Sequence, residues 1–298
     1  MEIVTLVENS CYDTRLQGEF GLSLLLDTTA GKILFDMGTT SLFAENCITL
    51  EENLVDVDCA VISHAHYDHG GGVEAFLQKN TTASVFIGKK AAGNYFGNIS
   101  AKLPSFLENI AHAMIGRHRS FCRYIGLDQS VLNTYADRFI TVDGITEILD
   151  DVFLISDIVK NYSLAEGNKY LLEERDGKLV EDCFDHELIL VVREADGLVL
   201  LTGCGHSGIL NMVQTVEDAF EGEPVKAVIG GFHLALQAGK PRIAGTRDDI
   251  IHIADTLLQH GVHKVITGHC TGADACSILE QELGEQFEAL TTGSRHTV

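Results

Sequence analysis

Residues 57–72 read Val57-Asp58-Cys59-Ala60-Val61-Ile62-Ser63-His64-Ala65-His66-Tyr67-Asp68-His69-Gly70-Gly71-Gly72. The first part is a near-continuous apolar run of the kind found in strands buried on both faces. At its end, three imidazoles and a carboxylate emerge within six positions, His64 to His69, into a glycine-rich turn. Imidazole and carboxylate together suit zinc, iron and manganese. Two ions a few ångströms apart can share such a group, with His64 and His66 on one and Asp68 and His69 on the other.

Working outward, short β-branched runs bounded by Gly or Asp precede and follow this segment: IVTLV, GLSLLLD, KILFD and SVFIG. These read as strands. Further strands are expected at Phe139–Val142 and Val152–Ile155. A hairpin in ELILVVREADGLVLLTGC should turn at Ala195-Asp196-Gly197. VKAVIGG and HKVITGH add two more strands. Helical spacing marks Lys102–Arg119, Ile209–Ala219, Asp248–Gln259 and Ala275–Leu283. The pattern also repeats. GKILFDMG from Gly31 and GLVLLTGC from Gly197 are each followed, after nearly equal intervals, by CAVISHAH ending at His66 and KAVIGGFH ending at His233. Two such halves, about 1–88 and 179–298, would place their strand-end loops at one shared edge. The expected class is α/β, two sheets sandwiched by helices in a single domain over 1–298. The stretch 89–178 fits neither half and reads as a mostly helical insert or cap.

His-x-His-x-Asp-His after a buried strand resembles the metallo-β-lactamase superfamily, and GKILFDMG and LVLLTGC extend the likeness. LVEN, GLSLLL, SHAHYDHGGG, TGCGHSGI, GGFHL and HCTG are similar to one branch of it. That branch holds archaeal dihydropterin-ribofuranosylaminobenzene-phosphate synthases and many predicted metal-dependent hydrolases. The resemblance implies a four-layer αββα sandwich, with the helical insertion between the halves, and a site for two divalent ions. Zinc is the first expectation, with manganese or iron as alternatives.

The resemblance also directs attention to the remaining ligands. His206, in Thr202-Gly203-Cys204-Gly205-His206, and His269, after the strand HKVI, are expected to bind metal beside His64, His66, Asp68 and His69. Many superfamily members carry a bridging Asp at the position of Cys204. Cysteine departs from that pattern and leaves open a small buried residue or a contact near the site. His233 ends the second-half strand; a proton donor or substrate contact is favoured, with a metal ligand or structural role as alternatives. Asp36 is either a group holding a ligand histidine by its other ring nitrogen or a strand-end cap. His186 is a weaker candidate for supporting a ligand or touching substrate.

The 298 residues carry 21 Lys+Arg against 43 Asp+Glu, a formal charge of −22. Such acidity argues against nucleic acid and anionic membranes as partners. A small-molecule substrate is expected, and self-association stays open. The N-terminus shows no signal-peptide pattern and no apolar run reaches a membrane-spanning length, so a cytoplasmic location is expected. Eight cysteines without a CxxC pair read as reduced thiols.

These features favour a hydrolase in which a metal-activated hydroxide, with Asp68 orienting it and His233 as proton donor, attacks a small-molecule ester or phosphoester. One alternative is a transferase resembling the archaeal synthase, which displaces pyrophosphate. Another is a non-catalytic metal-binding sensor.

Overall fold

Within each central strand, alternate side chains face different cores, as the two-residue period of a strand requires. Leu24, Leu26, Ile33, Phe35, Leu190, Val192, Val199 and Leu201 share one buried cluster with Val61, Ile229 and Ile266. Their neighbours Leu25 and Leu34 turn to a second cluster containing Phe43 and Phe76. Ile189, Val191, Leu198 and Leu200 turn to a third, with Met212, Val213, Leu257 and Leu279. One core therefore lies between two sheets, and two others lie between each sheet and its helices. The result is the expected four-layer αββα sandwich. Truncating a middle-layer side chain such as Phe35 to Ala would cost roughly 3–5 kcal/mol.

This is a computed structural model that describes residues 1–98, 118–236 and 243–298. The first sheet runs β18 (Arg295–Thr297), β1 (Glu2–Val7), β2 (Ser23–Thr28), β3 (Gly31–Phe35), β4 (Cys59–Val61), β5 (Ser84–Gly88), β8 (Phe139–Val142). The second runs β9 (Ile145–Leu149), β10 (Val152–Ile155), β13 (Ile189–Glu194), β14 (Gly197–Thr202), β15 (Val225–Gly230), β16 (Lys264–Thr267), β17 (Phe287–Ala289). Read in that order, each sheet has antiparallel pairs through its first four strands and parallel pairs through the rest. The sequence repeat is thus a repeat of topology. β3–β4 and β14–β15 occupy matching positions, and both repeats open on a glycine with φ of 147°. The hairpin between β13 and β14 turns at Ala195-Asp196, with Glu194 opposite Gly197.

Helices α1 (Leu42–Thr49), α2 (Tyr67–Gly70) and α3 (Val73–Lys79) follow strands of the first half. After α4 (Gln129–Thr134), the second half carries α5 (Ile209–Ala219), α6 (Arg247–Gln259) and α7 (Ala273–Leu283). The stretch 89–178 corrects the expectation of a helical insert. Among its described residues, β8 joins the first sheet, and β9 and β10 join the second. β6 (Tyr95–Asn98), β7 (Cys122–Tyr124) and β11 (Leu171–Arg175) form a small antiparallel sheet with β12 (Lys178–Glu181), in the order β12-β11-β6-β7. The helix expected at Lys102–Arg119 lies outside the described residues except at its last two positions. The misreading has a physical cause. β8 and β10 are the strands expected at Phe139–Val142 and Val152–Ile155, whereas β6, β7, β9 and β11 are only three to five residues long, too short for a clear alternation.

Cys47, Cys59, Cys204 and Cys270 are buried free thiols. Among the described residues no helix is long and apolar enough to cross a membrane.

Candidate metal centre

The parallel strands β3, β4, β14, β15 and β16 all end at one edge, and the polar side chains of the site follow those ends. After β4 the chain leaves the sheet at Ser63 and His64. His66 then becomes the residue before the single-turn helix α2, and that turn carries Asp68 and His69 around to join it. His64 and His69 are fully buried, and His66, Asp68, His206 and His269 nearly so. Asp36, His233 and His269 hold positive φ angles of 61°, 49° and 53°. Such backbone costs of order 1–3 kcal/mol per residue and persists only where the surroundings over-determine it.

The surroundings here are hydrogen bonds to the histidine rings. Asp36 Oδ1 accepts from Ser63 N at 2.7 Å, and Oδ2 accepts from Ser63 Oγ at 2.7 Å. His69 Nδ1 lies 2.6 Å from the same Oδ2. Because the Ser63 hydroxyl proton is given to Asp36, the 2.9 Å contact between Ser63 Oγ and His64 Nδ1 requires Nδ1–H to be the donor. Asp36 therefore sets two rings at once, His69 directly and His64 through Ser63. In its neutral form each ring is left with a bare Nε2 lone pair. The strand-end cap and the ring-holding role, alternatives in the sequence, are one arrangement in the fold.

The rings of His269 and His206 are held by matching devices from distant segments. Asn9 Oδ1 faces His269 Nδ1 at 2.9 Å, while its Nδ2 donates to the His269 carbonyl at 3.1 Å. Asn168 Oδ1 faces His206 Nδ1 at 3.3 Å, and its Nδ2 donates to the His206 carbonyl at 2.8 Å. A buried glutamate fixes each loop as well. Glu8 accepts from His269 N at 2.6 Å, and Glu187 accepts from His206 N and Ser207 N at 2.8 Å each. Both rings thus donate from Nδ1 and present Nε2. Sequence reasoning assigned none of these four residues a role. For Glu8-Asn9 a signal existed, since polar residues directly follow the apolar run IVTLV. Asn168 carries no local signal.

Inside this frame the presented nitrogens have no ordinary partners. The Nε2 atoms of His64, His66 and His206 are buried without a hydrogen bond. The three ring centroids lie 4.6, 4.9 and 5.0 Å apart. His69 Nε2 faces His269 Nε2 at 3.1 Å and Cys204 Sγ at 3.2 Å. Asp68 Oδ2 stands 3.4 Å from His269 Nε2 and 3.7 Å from His69 Nε2. Unpartnered buried nitrogens are costly in apolar surroundings, and the facing nitrogens of His69 and His269 need a proton or a metal ion between them. Both are relieved by a cation, so the donor set fits divalent metal ions.

The electrostatics agree. Burial, reinforced by the neighbouring imidazoles, pushes the pKa of His64 and His206 well below the usual histidine value. His66 falls to about 3, mainly through burial. These rings are neutral at physiological pH, the form that ligates metal. Burial opposes charge on His69 too, but the Asp36 and Asp68 carboxylates outweigh it and raise its pKa to about 9. Burial likewise opposes ionisation of Asp68, yet His69 and His269 hold its pKa below the usual carboxylate range.

Two predicted residues stand apart from the cluster. His186 is buried with both ring nitrogens engaged. Nδ1 accepts from Ala65 N at 3.0 Å and Nε2 meets Asp182 Oδ2 at 3.1 Å. Neither nitrogen is left for a substrate, so its ring supports the His64–His66 loop and the substrate-contact alternative falls. His66 also has ligand atoms close to Asp182 and His186. That set offers a metal little, because His186 is already saturated. His233 is half-buried, its ring 4.2 Å from His206, with Nδ1 unpartnered.

Fold and site together point to one class: residues 16–154 match the family model described as the metallo-β-lactamase superfamily. The chain is similar to the 7,8-dihydropterin-6-methyl-4-(β-D-ribofuranosyl)-aminobenzene-5′-phosphate synthase of Methanocaldococcus jannaschii, with 29% identity over 98% of this chain and 95% of that protein. An uncharacterized protein of the same archaeon is 28% identical over 94% of each chain. Among solved structures it resembles Tm1679, described as a metal-dependent hydrolase of the β-lactamase superfamily. The TM-score is 0.78 and the identity 28%, covering 100% of this chain and 99% of that one.

Proposed function

We propose that the protein is a dinuclear metal-dependent hydrolase of a small-molecule ester or phosphoester. His64, His66 and His206 would hold one divalent ion and Asp68, His69 and His269 the other, zinc being the first expectation. The observation that carries this reading is the set of buried Nε2 atoms of His64, His66 and His206 with no partner of their own, those of His64 and His206 presented by a hydrogen bond at the opposite ring nitrogen. Ions held there supply Lewis acidity, which lowers the pKa of a water ligand and stabilises a leaving oxyanion.

The chain's own groups do the rest. Asp68 stays ionised and accepts a proton from, or orients, the attacking water. His233 stands half-buried beside His206 and would give a proton to the leaving oxygen. Asp36, Asn9 and Asn168 hold the rings in the ligating tautomer throughout. A cavity of about 640 Å³ beside Ser207 and Phe184 is lined by Lys89, Lys90 and Lys160. Each lysine is matched by a carboxylate: Lys89 by Asp143 and Asp157, Lys90 and Lys160 by Asp185. That balance does not single out a phosphate over a carboxylic ester.

The likeness to the synthase over nearly the whole chain favours a second reading, a transferase in which an acceptor carbon displaces pyrophosphate. The same metal set would serve it. Metal analysis of the purified protein with His66→Ala and His269→Ala tests the site. Each variant should lose metal, and full retention in both refutes the assignment. Assays with and without an aromatic amine then separate the reactions. Pyrophosphate release that depends on the acceptor refutes hydrolysis, and turnover by water alone supports it. Metal-loaded protein inert toward ester, phosphoester and acceptor panels would instead support the non-catalytic sensor.

A further inference from the structure

The sequence leaves Cys204 between a small buried residue and a contact near the site; among the described residues its sulfur is the ligand atom common to both halves of the site. Cys204 Sγ, an Asp68 oxygen and ring nitrogens of His69 and His269 all lie within 4.8 Å of one another. The same sulfur forms a second such set with His64 and His206. Asp68, His69 and His269 belong only to the first set; His64 and His206 belong only to the second. Cys204 is 3% exposed and sits two residues past the end of β14, between the loops carrying the two groups of histidines. Its neighbour Cys270 appears in neither histidine set, and its thiol donates to the Cys204 carbonyl at 3.3 Å.

We infer that Cys204 is a bridging thiolate, its sulfur bonding both ions of the dinuclear centre. This rests on the proposed dinuclear reading and specifies its chemistry further. On loading, the S–H bond breaks and its proton leaves to solvent, while two sulfur lone pairs form one bond to each ion, with no change of oxidation state. A thiolate in that place makes both ion sites softer than a carboxylate would, and so favours zinc over manganese or magnesium. It also adds one negative charge shared between the ions, so that five neutral imidazoles and two anionic ligands leave the loaded centre positive. A positive centre suits an anionic substrate or leaving group.

The test uses the full chain stripped of metal and reloaded with Co(II) or with cadmium-113. Wild type and Cys270→Ser should show a thiolate-to-cobalt charge-transfer band in the near ultraviolet, and Cys204→Ser should lose it. Both cadmium resonances of the wild type should lie in the thiolate-shifted range. Cys204→Asp should keep two ions per chain with neither resonance so shifted, and circular dichroism should confirm that both variants fold. A band that survives in Cys204→Ser, or a single thiolate-shifted cadmium resonance out of two, overturns the bridge. Metal counting on the same wild-type sample separates the two levels of failure. Two ions without a sulfur signature defeat only the bridge, whereas fewer than two defeat the dinuclear reading itself.

Discussion

Replacing Asp36 with Asn tests the whole frame of the centre, because this one carboxylate accepts three hydrogen bonds, from Ser63 N, Ser63 Oγ and His69 Nδ1. The substitution keeps size and shape. However, an amide has one acceptor oxygen, so its NH2 takes either the Oδ2 place, facing Ser63 Oγ and His69 Nδ1 together, or the Oδ1 place, facing the Ser63 backbone N–H. In the Oδ2 place it opposes His69 Nδ1–H and drives that ring to the tautomer with Nε2 protonated, which cannot ligate, while the Ser63 hydroxyl turns to accept and no longer selects Nδ1–H on His64. In the Oδ1 place it meets a backbone donor that has no other role to adopt, so the Ser63 anchor of the loop is lost. Loss of such a supporting partner typically weakens metal binding about 10–100-fold, or about 1.4–2.8 kcal/mol. The fold places the Asp36 contact directly on the His69 side and one residue removed on the His64 side. Asp36→Asn should therefore weaken both ions, and Ser63→Ala only the ion on the His64 side. Competition titration of metal-free protein against a chromophoric chelator reads the two dissociation constants. A thermal melt of the metal-free variants checks that folding survives. Unchanged constants for both ions in Asp36→Asn would show that the relay through Ser63 does not set the rings, and the tautomer argument would be wrong.

Asn9→Ala and Asn168→Ala each remove a neutral ring contact worth about 0.5–1.5 kcal/mol, so each should weaken only its own ion, about two- to tenfold by the same titration. In metal-free protein, the raised pKa of His69 stabilises the fold fully below the ordinary value of 6.5, and that contribution is lost as pH climbs through about 9. Melts of the metal-free wild type should accordingly drop between those values relative to His69→Gln, and parallel profiles would contradict the assignment of the charge. A Cβ on Gly203 would lie 2.0 Å from Ser63 Oγ and 3.0 Å from Asp36 Oδ2. Gly203→Ala should thus destabilise by about 1–3 kcal/mol and weaken metal binding, both visible in denaturant titration with and without zinc.

The sequence made the centre of this protein legible and its periphery much less so. The strand–His cluster, the repeat and the late strand-end histidines could be read because their signal is local: an apolar run, then ligand residues within a few positions. The helices α5, α6 and α7 followed from their spacing within a residue or two. Asn168 and Glu187 act only through long-range closure, Asn168 reaching across 38 positions to His206. No spacing rule marks such a residue. His186 was read as a weak candidate because its chemistry matches a ligand; only the fold reveals that Ala65 N and Asp182 already occupy both its nitrogens.

The repeat also explains why one half alone carries the histidine cluster. Ala60-Val61-Ile62-Ser63-His64-Ala65-His66 and Ala227-Val228-Ile229-Gly230-Gly231-Phe232-His233 stand at the ends of matching strands, so His66 corresponds to His233 and His64 to Gly231. A Cβ at Gly231 would lie 2.4 Å from Cys270 Sγ and 2.8 Å from the Gly203 carbonyl. The space that an imidazole would need in the second half is filled by the loop that delivers His269. A symmetric pair of His-x-His clusters would therefore displace the late-strand histidine that completes the ion site beside Asp68. With that position closed, His233 keeps its place at the edge with no second histidine beside it on its own strand end, a ring nitrogen lying close to the sulfurs of Cys204 and Cys270. Its Nδ1 is buried and unpartnered beside His206, an arrangement suited to carrying a proton rather than binding an ion. His233→Gln should accordingly leave both metal dissociation constants within about twofold, less than one neutral ring contact is worth, while slowing turnover of substrates with poor leaving groups more than those with good ones. Loss of an ion from that variant would make His233 a ligand and refute the asymmetry argument.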